Sequence, residues 1–538
     1  MWPGDGPWPA SAAGPVTAAA LLVAAVIVVR LFFVPRLQPS SGTERRGAAS
    51  GAFGSARLPA GSLGWPLLGE TPAFILAAYS ARPESFVERR RLLYGKVFAS
   101  HLWGSPAVVS SDPEVSRAVL QADASAFVPW YPRSLMELMG RSSILVLGGG
   151  LQRRVHGLAG AFFKSPHLKA RVTADMHRRV ARAMAAWRRP GAAPVVRVQD
   201  EAKSIVFEIL VRALIGPDEG HEMQYLRQQF KEFIAGLISL PVKLPGTQLY
   251  RSLKAKKRMT KLIQKIIQEK RKRRIAECED PHGTHHPPRD MIDVLLGNGS
   301  DELTDELISD NMIDFMIPAE DSVPVLITLA VKYLSECPQA LQQLEVRFNF
   351  VATHKLTSSL TLELRYTEAF GGDTQEENMD LKRRKSGAGE TLEWTDYMSL
   401  TFTQHVITET LRMGNIINGI MRKAVRDVEV RGHLIPKGWR VLVYFRAVHL
   451  DAAVHDDPHT FNPWRWKERA DVMTGGGFTP FGGGQRLCPG LDLARLEASI
   501  FLHHLVTNFR WVAEEDAVVN FPTVRLRRGM PIAVTPRT

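Results

Sequence analysis

The sequence predicts a mainly α fold with small β-sheets, set behind one N-terminal transmembrane helix. Three observations carry this expectation. No charged side chain occurs from Gly6 to Val29, around the apolar centre AAALLVAAVIVV. Helical spacing of apolar residues dominates most of the chain that follows. β-prone runs are short and confined to KVFASHLWGSPAVVSS, to VLVYF at 441–445 and to the C-terminal end.

Residues 1–10 are expected on the lumenal side and 11–34 as the anchor, a length suited to crossing a bilayer as a helix. Arg30 can snorkel to the interface, and Trp2 and Trp8 suit the opposite one. Asp5 is the only charge before the apolar run, whereas a cleaved signal peptide starts with a basic segment. Arg30, Arg36, Arg45 and Arg46 follow the run, so positive-inside bias puts the remainder in the cytosol. Residues 35–62, rich in Ser, Gly and Ala, read as a flexible linker, and 63–538 as the folded domain. Within it, a hairpin is expected with its turn at Gly104-Ser105-Pro106.

A hydrophobic content of 45% and a charged content of 23% suit a globular body with a sizeable core. The cysteines Cys278, Cys337 and Cys488 are odd in number and widely spaced, which argues against a disulfide framework. There is no C-x-x-C pair and no H-E-x-x-H, so zinc has no support. The net charge of +13 sits largely in RSLKAKKRMTKLIQKIIQEKRKRR, 251–274. Its apolar residues Met259, Leu262, Ile263, Ile266 and Ile267 follow helical spacing. Two readings stand: a solvated basic helix face, or attraction to an anionic membrane or an acidic partner. No nucleic-acid-binding signature accompanies the charge, and no nucleic-acid partner is expected.

FGGGQRLCPG, 481–490, places Cys488 among glycines with Arg486 two residues before it. A lone cysteine can be a small buried hydrophobe, a nucleophile or a metal ligand. A haem ligand needs backbone that closely approaches a flat ring, which glycine permits, and a cation for the propionates. Phe481, Gly484, Arg486, Cys488 and Gly490 together resemble the haem-binding loop of the cytochrome P-450 monooxygenases. That resemblance implies haem b held by the Cys488 thiolate. It also implies use of dioxygen, with electrons from a cytosol-facing NADPH-cytochrome P-450 reductase docked near Cys488, and residence in the endoplasmic reticulum membrane. It further implies that Glu409 and Arg412 of ETLR, with Arg465 of FNPWRW, form a structural ion-pair network. Arg422 is implied as a propionate partner. GGLQRRVHG resembles the family's C-helix, with Gln152 in place of tryptophan and His156 in place of arginine. His156 is expected either to donate to a propionate or to be solvated.

LTDELISDNMIDFMIPAEDSVPVLITLAVKYL reads as a buried helix opened by Thr304 and broken between Pro318 and Pro324. Each proline is expected to leave a carbonyl, those of Asp314 and Glu320, without its usual donor. The break resembles the family's oxygen-activation segment, which implies Asp321 and Ser322 as an acid–alcohol proton relay; Ala319 replaces the usual glycine. Longer stretches, including ITETLRMGNIINGIMRKAVRDVEVRGHLIPKGW, resemble the plant steroid hydroxylases of brassinosteroid synthesis. The C-23 branch is nearest and the C-22 branch is its competitor. The implied substrate is a sterol, and the implied pocket walls are Met316–Val323, Ile416–Ile420 and Phe521–Val524. VRFNFVATHKLTSSLTLELRYTEAFGGDTQ, 346–375, interrupts an otherwise continuous helical reading and is taken as an insertion from retained intron sequence. It either emerges as a tolerated loop or leaves a haem-binding, inactive protein.

Overall fold

In the computed structural model, residues 56–537 are described except 66–67, 189–194, 217–219, 238, 280–287, 298–301, 345–376, 389, 468–474 and 522. The anchor 11–34, most of the linker and the insertion 346–375 therefore lie outside the described residues. Among the described residues no helix is long and apolar enough to cross a membrane.

Strands β1 (Val97–Leu102) and β2 (Ser105–Ser110) form the expected hairpin, but its turn is Trp103-Gly104. Both residues have positive φ, 50° and 74°, as a two-residue hairpin turn requires. Ser105 and Pro106 already pair across to Leu102 and His101. Helix α1 (Pro113–Gln121) follows, its Asp112 side chain capping Glu114 N and Val115 N. β3 (Phe127–Pro129), β4 (Ile420–Ala424) and β5 (Arg440–Val443) complete a sheet of order β1-β2-β5-β4-β3, parallel only at β2–β5.

The helical body is built from α2 (Gly149–Lys164), α3 (Pro166–Ala186), α4 (Val198–Leu214), α5 (Gln248–Glu279), α6 (Asp305–Met316), α7 (Val323–Glu336), α8 (Thr401–Gly414) and α9 (Leu491–Asn508). α7 is its centre: Val323 to Val331 are all buried, and it packs on α4, α8 and α9. Such all-round burial explains why its sequence shows no polar face. α6 begins where expected, with Thr304 Oγ1 accepting from Leu307 N at 3.2 Å.

α5 buries Leu249, Ala255, Met259, Ile263 and Ile267 completely, with Leu262 and Ile266 packed beside them. Fully burying each large apolar side chain contributes about 1.5–3 kcal/mol. Part of its basic charge is used inside the fold. Lys256 pairs with Asp310 at 2.8 Å, Lys270 with Asp290 and Asp293 at 2.5 and 2.9 Å, and Arg271 with Asp305 at 2.8 Å. The solvated-face reading of 251–274 thus describes only the outer residues.

Candidate active site

A loop and a helix break meet at one cavity. The loop closes through Cys488 N donating to Phe481 O at 3.0 Å, around a short turn at Gly484–Arg486. Gly484 has φ +63°, and a Cβ there would stand 2.3 Å from the Leu120 carbonyl oxygen of α1. This glycine is needed to seat the loop on α1. Gly490 differs: it lines the cavity, and a Cβ there would meet nothing within 4 Å. The glycines therefore divide their work, and only some clear space beside Cys488.

From α2, His156 Nε2 lies 2.8 Å from the Leu487 carbonyl, and the Gln152 amide donates to Gln485 O at 3.4 Å. Both side chains line the cavity, yet their hydrogen bonds go to the loop's own backbone. Cys488 is on the cavity wall, and burial pushes its thiol up from the ordinary value.

The cavity has a volume of about 390 Å³. Arg422, Arg486 and Tyr131 reach it together. Arg422 comes from β4, opposite Pro129 of β3, which delivers Tyr131 two residues later. Arg486 donates to Ile144 O at 3.1 Å and to Leu147 O. Arg422 donates to the Met421 carbonyl at 3.4 Å. Among the described residues no carboxylate pairs with either guanidinium, and burial pulls the pKa of both down. Two cations without an anion, Arg422 buried and Arg486 half-buried, call for one from a ligand. A thiol on the wall, open space beside Gly490 and this doubly cationic end fit a haem with its two propionates.

The helix break supplies Pro318, Ser322 and Val323 to the wall. Ser322 has φ −122° and ψ −70°, off the helical path. The Asp314 carbonyl is not left open as expected, because Ile317 N turns back to it at 3.1 Å. Asp321 is not on the wall. It is half-buried, and burial raises its pKa while the Lys203 ammonium pulls the other way. Lys203 itself pairs with Glu320. The acid and the alcohol are thus adjacent, but only the alcohol faces the cavity.

Glu409, Arg412 and Arg465 meet in one buried network. Glu409 accepts from Arg412 at 2.7 and 2.9 Å, from Arg465 Nε at 3.0 Å, from Trp466 Nε1 at 2.9 Å and from Asn462 N at 3.0 Å. Arg412 also donates to His449 O and Pro458 O, at 2.9 and 2.7 Å. Burying these charges is sustained by this complete pairing. None of the three lines the cavity, so their work is to clamp α8 to the 461–466 segment.

Of the expected pocket walls, Ile416, Ile417 and Ile420 line the cavity. Met316 and Val524 are buried in the core, and Phe521 instead meets Tyr79 edge-on with ring centres 5.1 Å apart. Tyr131, Asp314 and Glu497 line the cavity without having been anticipated. Asp314 left a signal, an acid inside the apolar run NMIDFMIP; Tyr131 left none.

A model of the family described as Cytochrome P-450 matches residues 59–370 and 375–528. Cytochrome P-450 90D2 of Brachypodium distachyon is 74% identical over 481 residues, 89% of this chain and 88% of that protein. Two Arabidopsis thaliana proteins named 3-epi-6-deoxocathasterone 23-monooxygenase are similar as well. CYP90D1 is 53% identical, covering 88% of this chain and 89% of its own length. CYP90C1 is 48% identical, covering 89% and 84%. The solved structure of retinoic acid-bound cyanobacterial CYP120A1 is 20% identical with a TM-score of 0.69, covers 90% of this chain and 100% of its own, and bears on the fold alone. With the loop, the cavity and the near-complete family match in hand, the chain belongs to the cytochrome P-450 family of haem-thiolate monooxygenases.

Proposed function

We propose that this chain hydroxylates a steroid side chain at carbon 23 in brassinosteroid synthesis, using dioxygen and electrons from an NADPH-dependent cytochrome P-450 reductase. The observation that carries the reading is identity of 53% and 48%, over nearly the whole chain, to two 23-monooxygenases. A relative named 3beta,22alpha-dihydroxysteroid 3-dehydrogenase, with different chemistry, is 39% identical. The cavity suits a sterol, since Leu145, Phe163, Leu210, Phe315, Leu326 and Ile416 give it an apolar lining.

Haem bound at Cys488 supplies oxygen activation, with the thiolate favouring O–O cleavage. The chain's own residues do the rest. Arg422 and Arg486 would pair with the propionates, with Tyr131 beside them on the wall. Gln152 and His156 fix the loop that carries Cys488 by holding its backbone. The apolar wall excludes water and leaves the substrate few polar anchors. Ser322 Oγ holds a proton at the wall, and Asp321, next in sequence and off the wall, replaces it from the side of Lys203 and Arg525. Residence in the endoplasmic reticulum membrane through residues 11–34, with the enzyme domain in the cytosol, belongs to the same proposal and rests on the charge asymmetry of the N-terminus.

The test is to co-express the full chain with a cytochrome P-450 reductase in microsomes and supply 3-epi-6-deoxocathasterone. A product carrying one added oxygen at C-23 is expected. The Cys488→Ser variant should lose both this product and the thiolate-type carbon-monoxide difference band. Product at C-22, or none from protein that shows the band, would overturn the C-23 assignment.

A further inference from the structure

α6 carries four consecutive or near-consecutive buried polar side chains, and three of them are satisfied by the protein. Ser309 Oγ donates to Asp305 O at 2.6 Å. Asp310 pairs with Lys256 at 2.8 Å. Asn311 donates to Ser142 O and Leu307 O, at 2.9 and 2.7 Å, and accepts from Ile144 N at 2.9 Å. The fourth, Asp314, is only 6% exposed, and its Oδ2 is buried with no hydrogen-bond partner. Asp314 is also the one of the four that lines the cavity. The Ser143 hydroxyl and the Ile144 amide approach the same carboxyl from the preceding loop.

An orphaned buried oxygen is costly, and one on a residue that lines a cavity can be completed by a ligand there. Burial pushes the Asp314 carboxyl up to about 8, with Ser143 and Lys256 pulling down and Asp310 pushing up. At neutral pH it is therefore a protonated acid, able both to donate and to accept one hydrogen bond. Its neighbours on the wall, Phe315 and Pro318, offer neither.

We propose that Asp314 is a specificity-determining residue whose carboxyl hydrogen-bonds a hydroxyl group of the steroid substrate, so that the site selects a steroid alcohol over its deoxy counterpart. This rests on the sterol-hydroxylase reading of the cavity. A site built to pair a substrate hydroxyl rejects the analogue lacking it, because the protein group is then left unpaired.

The experiment uses the haem-loaded full chain and reads the spin-state absorbance shift during titration. The ligands are 3-epi-6-deoxocathasterone and analogues each lacking one hydroxyl. Wild type should bind the parent roughly ten- to a hundredfold more tightly than one of the analogues. Asp314→Leu should bind that pair equally, and Asp314→Asn, which keeps a donor and an acceptor, should restore most of the preference. Asp314→Ala serves where the leucine variant does not load haem. A preference that survives in Asp314→Leu or Asp314→Ala overturns the assignment. So does a uniform weakening of all ligands, which marks a structural role. If wild type gives no shift with any of these steroids, the sterol reading falls and takes this inference with it. That outcome is told apart by the wild-type titration alone.

Discussion

Gly484 and Gly490 share one loop, yet a methyl group would act differently at each. At Gly484 the backbone is left-handed and the added carbon would press on the Leu120 carbonyl and Gln121 Cα, at 2.3 and 2.9 Å. Left-handed backbone costs a non-glycine residue about 1–2 kcal/mol before any clash. At Gly490 φ is −94° and the space is open on the cavity side. Gly484→Ala should therefore destabilise even the haem-free protein, by about 2 kcal/mol or more in denaturant titration. Gly490→Ala should leave haem-free stability within about 0.5 kcal/mol of wild type but lower the fraction of haem retained on gel filtration. Equal effects of the two variants on the haem-free protein would refute this division.

Between α3, α9 and the short helix Trp394–Met398, three histidines are packed into the helix contacts. The Tyr397 hydroxyl meets His177 Nε2 at 2.7 Å, and His177 Nδ1 meets His504 Nε2 at 2.8 Å. His503 donates to Asn378 Oδ1 at 3.0 Å. Burial lowers all three: His504 to about 3, His503 well below its ordinary value, and His177 in the same direction. Each is neutral in the fold, whereas the unfolded chain binds protons as pH falls through about 6.5. Their contribution is therefore complete above that pH and is lost as pH falls from it toward the folded value. His504 alone removes about 2 kcal/mol between pH 6.5 and pH 5. Urea titrations at pH 7 and pH 5 should show wild type losing more stability than His504→Gln by about that amount. Equal losses would mean that His504 is protonated in the fold.

For the whole chain, what could be read in advance was what depends on neighbours in sequence. The Thr304 cap, the apolar stripe of α5 and the Pro318 break are each written within a few residues of where they act. The Cys488 loop was legible as a motif, but not that Gly484 serves α1, nor that His156 holds Leu487. The convergence of Tyr131, Asp314, Arg422 and Arg486 depends on the β3–β4 register and on the packing of α6, so no local pattern announces it. The segment 346–375 belongs to this scale too, because its effect depends on whether the body closes without it. Helix Pro338–Leu344 ends with Leu344 fully buried, and helix Glu377–Ala388 starts with Glu377 accepting from Phe402 N and Thr403 N, both at 2.8 Å. The two helices pack on each other, so both ends are tied to the body and to one another. Loop-closure cost rises by about 0.6 kcal/mol per doubling of length, so on the tolerated-loop reading a segment of this size would cost about 2 kcal/mol relative to a tight connection. Deleting 346–375 should leave haem occupancy unchanged and raise the denaturant midpoint by up to that amount. Reduced occupancy in the deletion, measured by the carbon-monoxide difference spectrum of purified protein, would instead show that the segment helps hold Glu377 against α8.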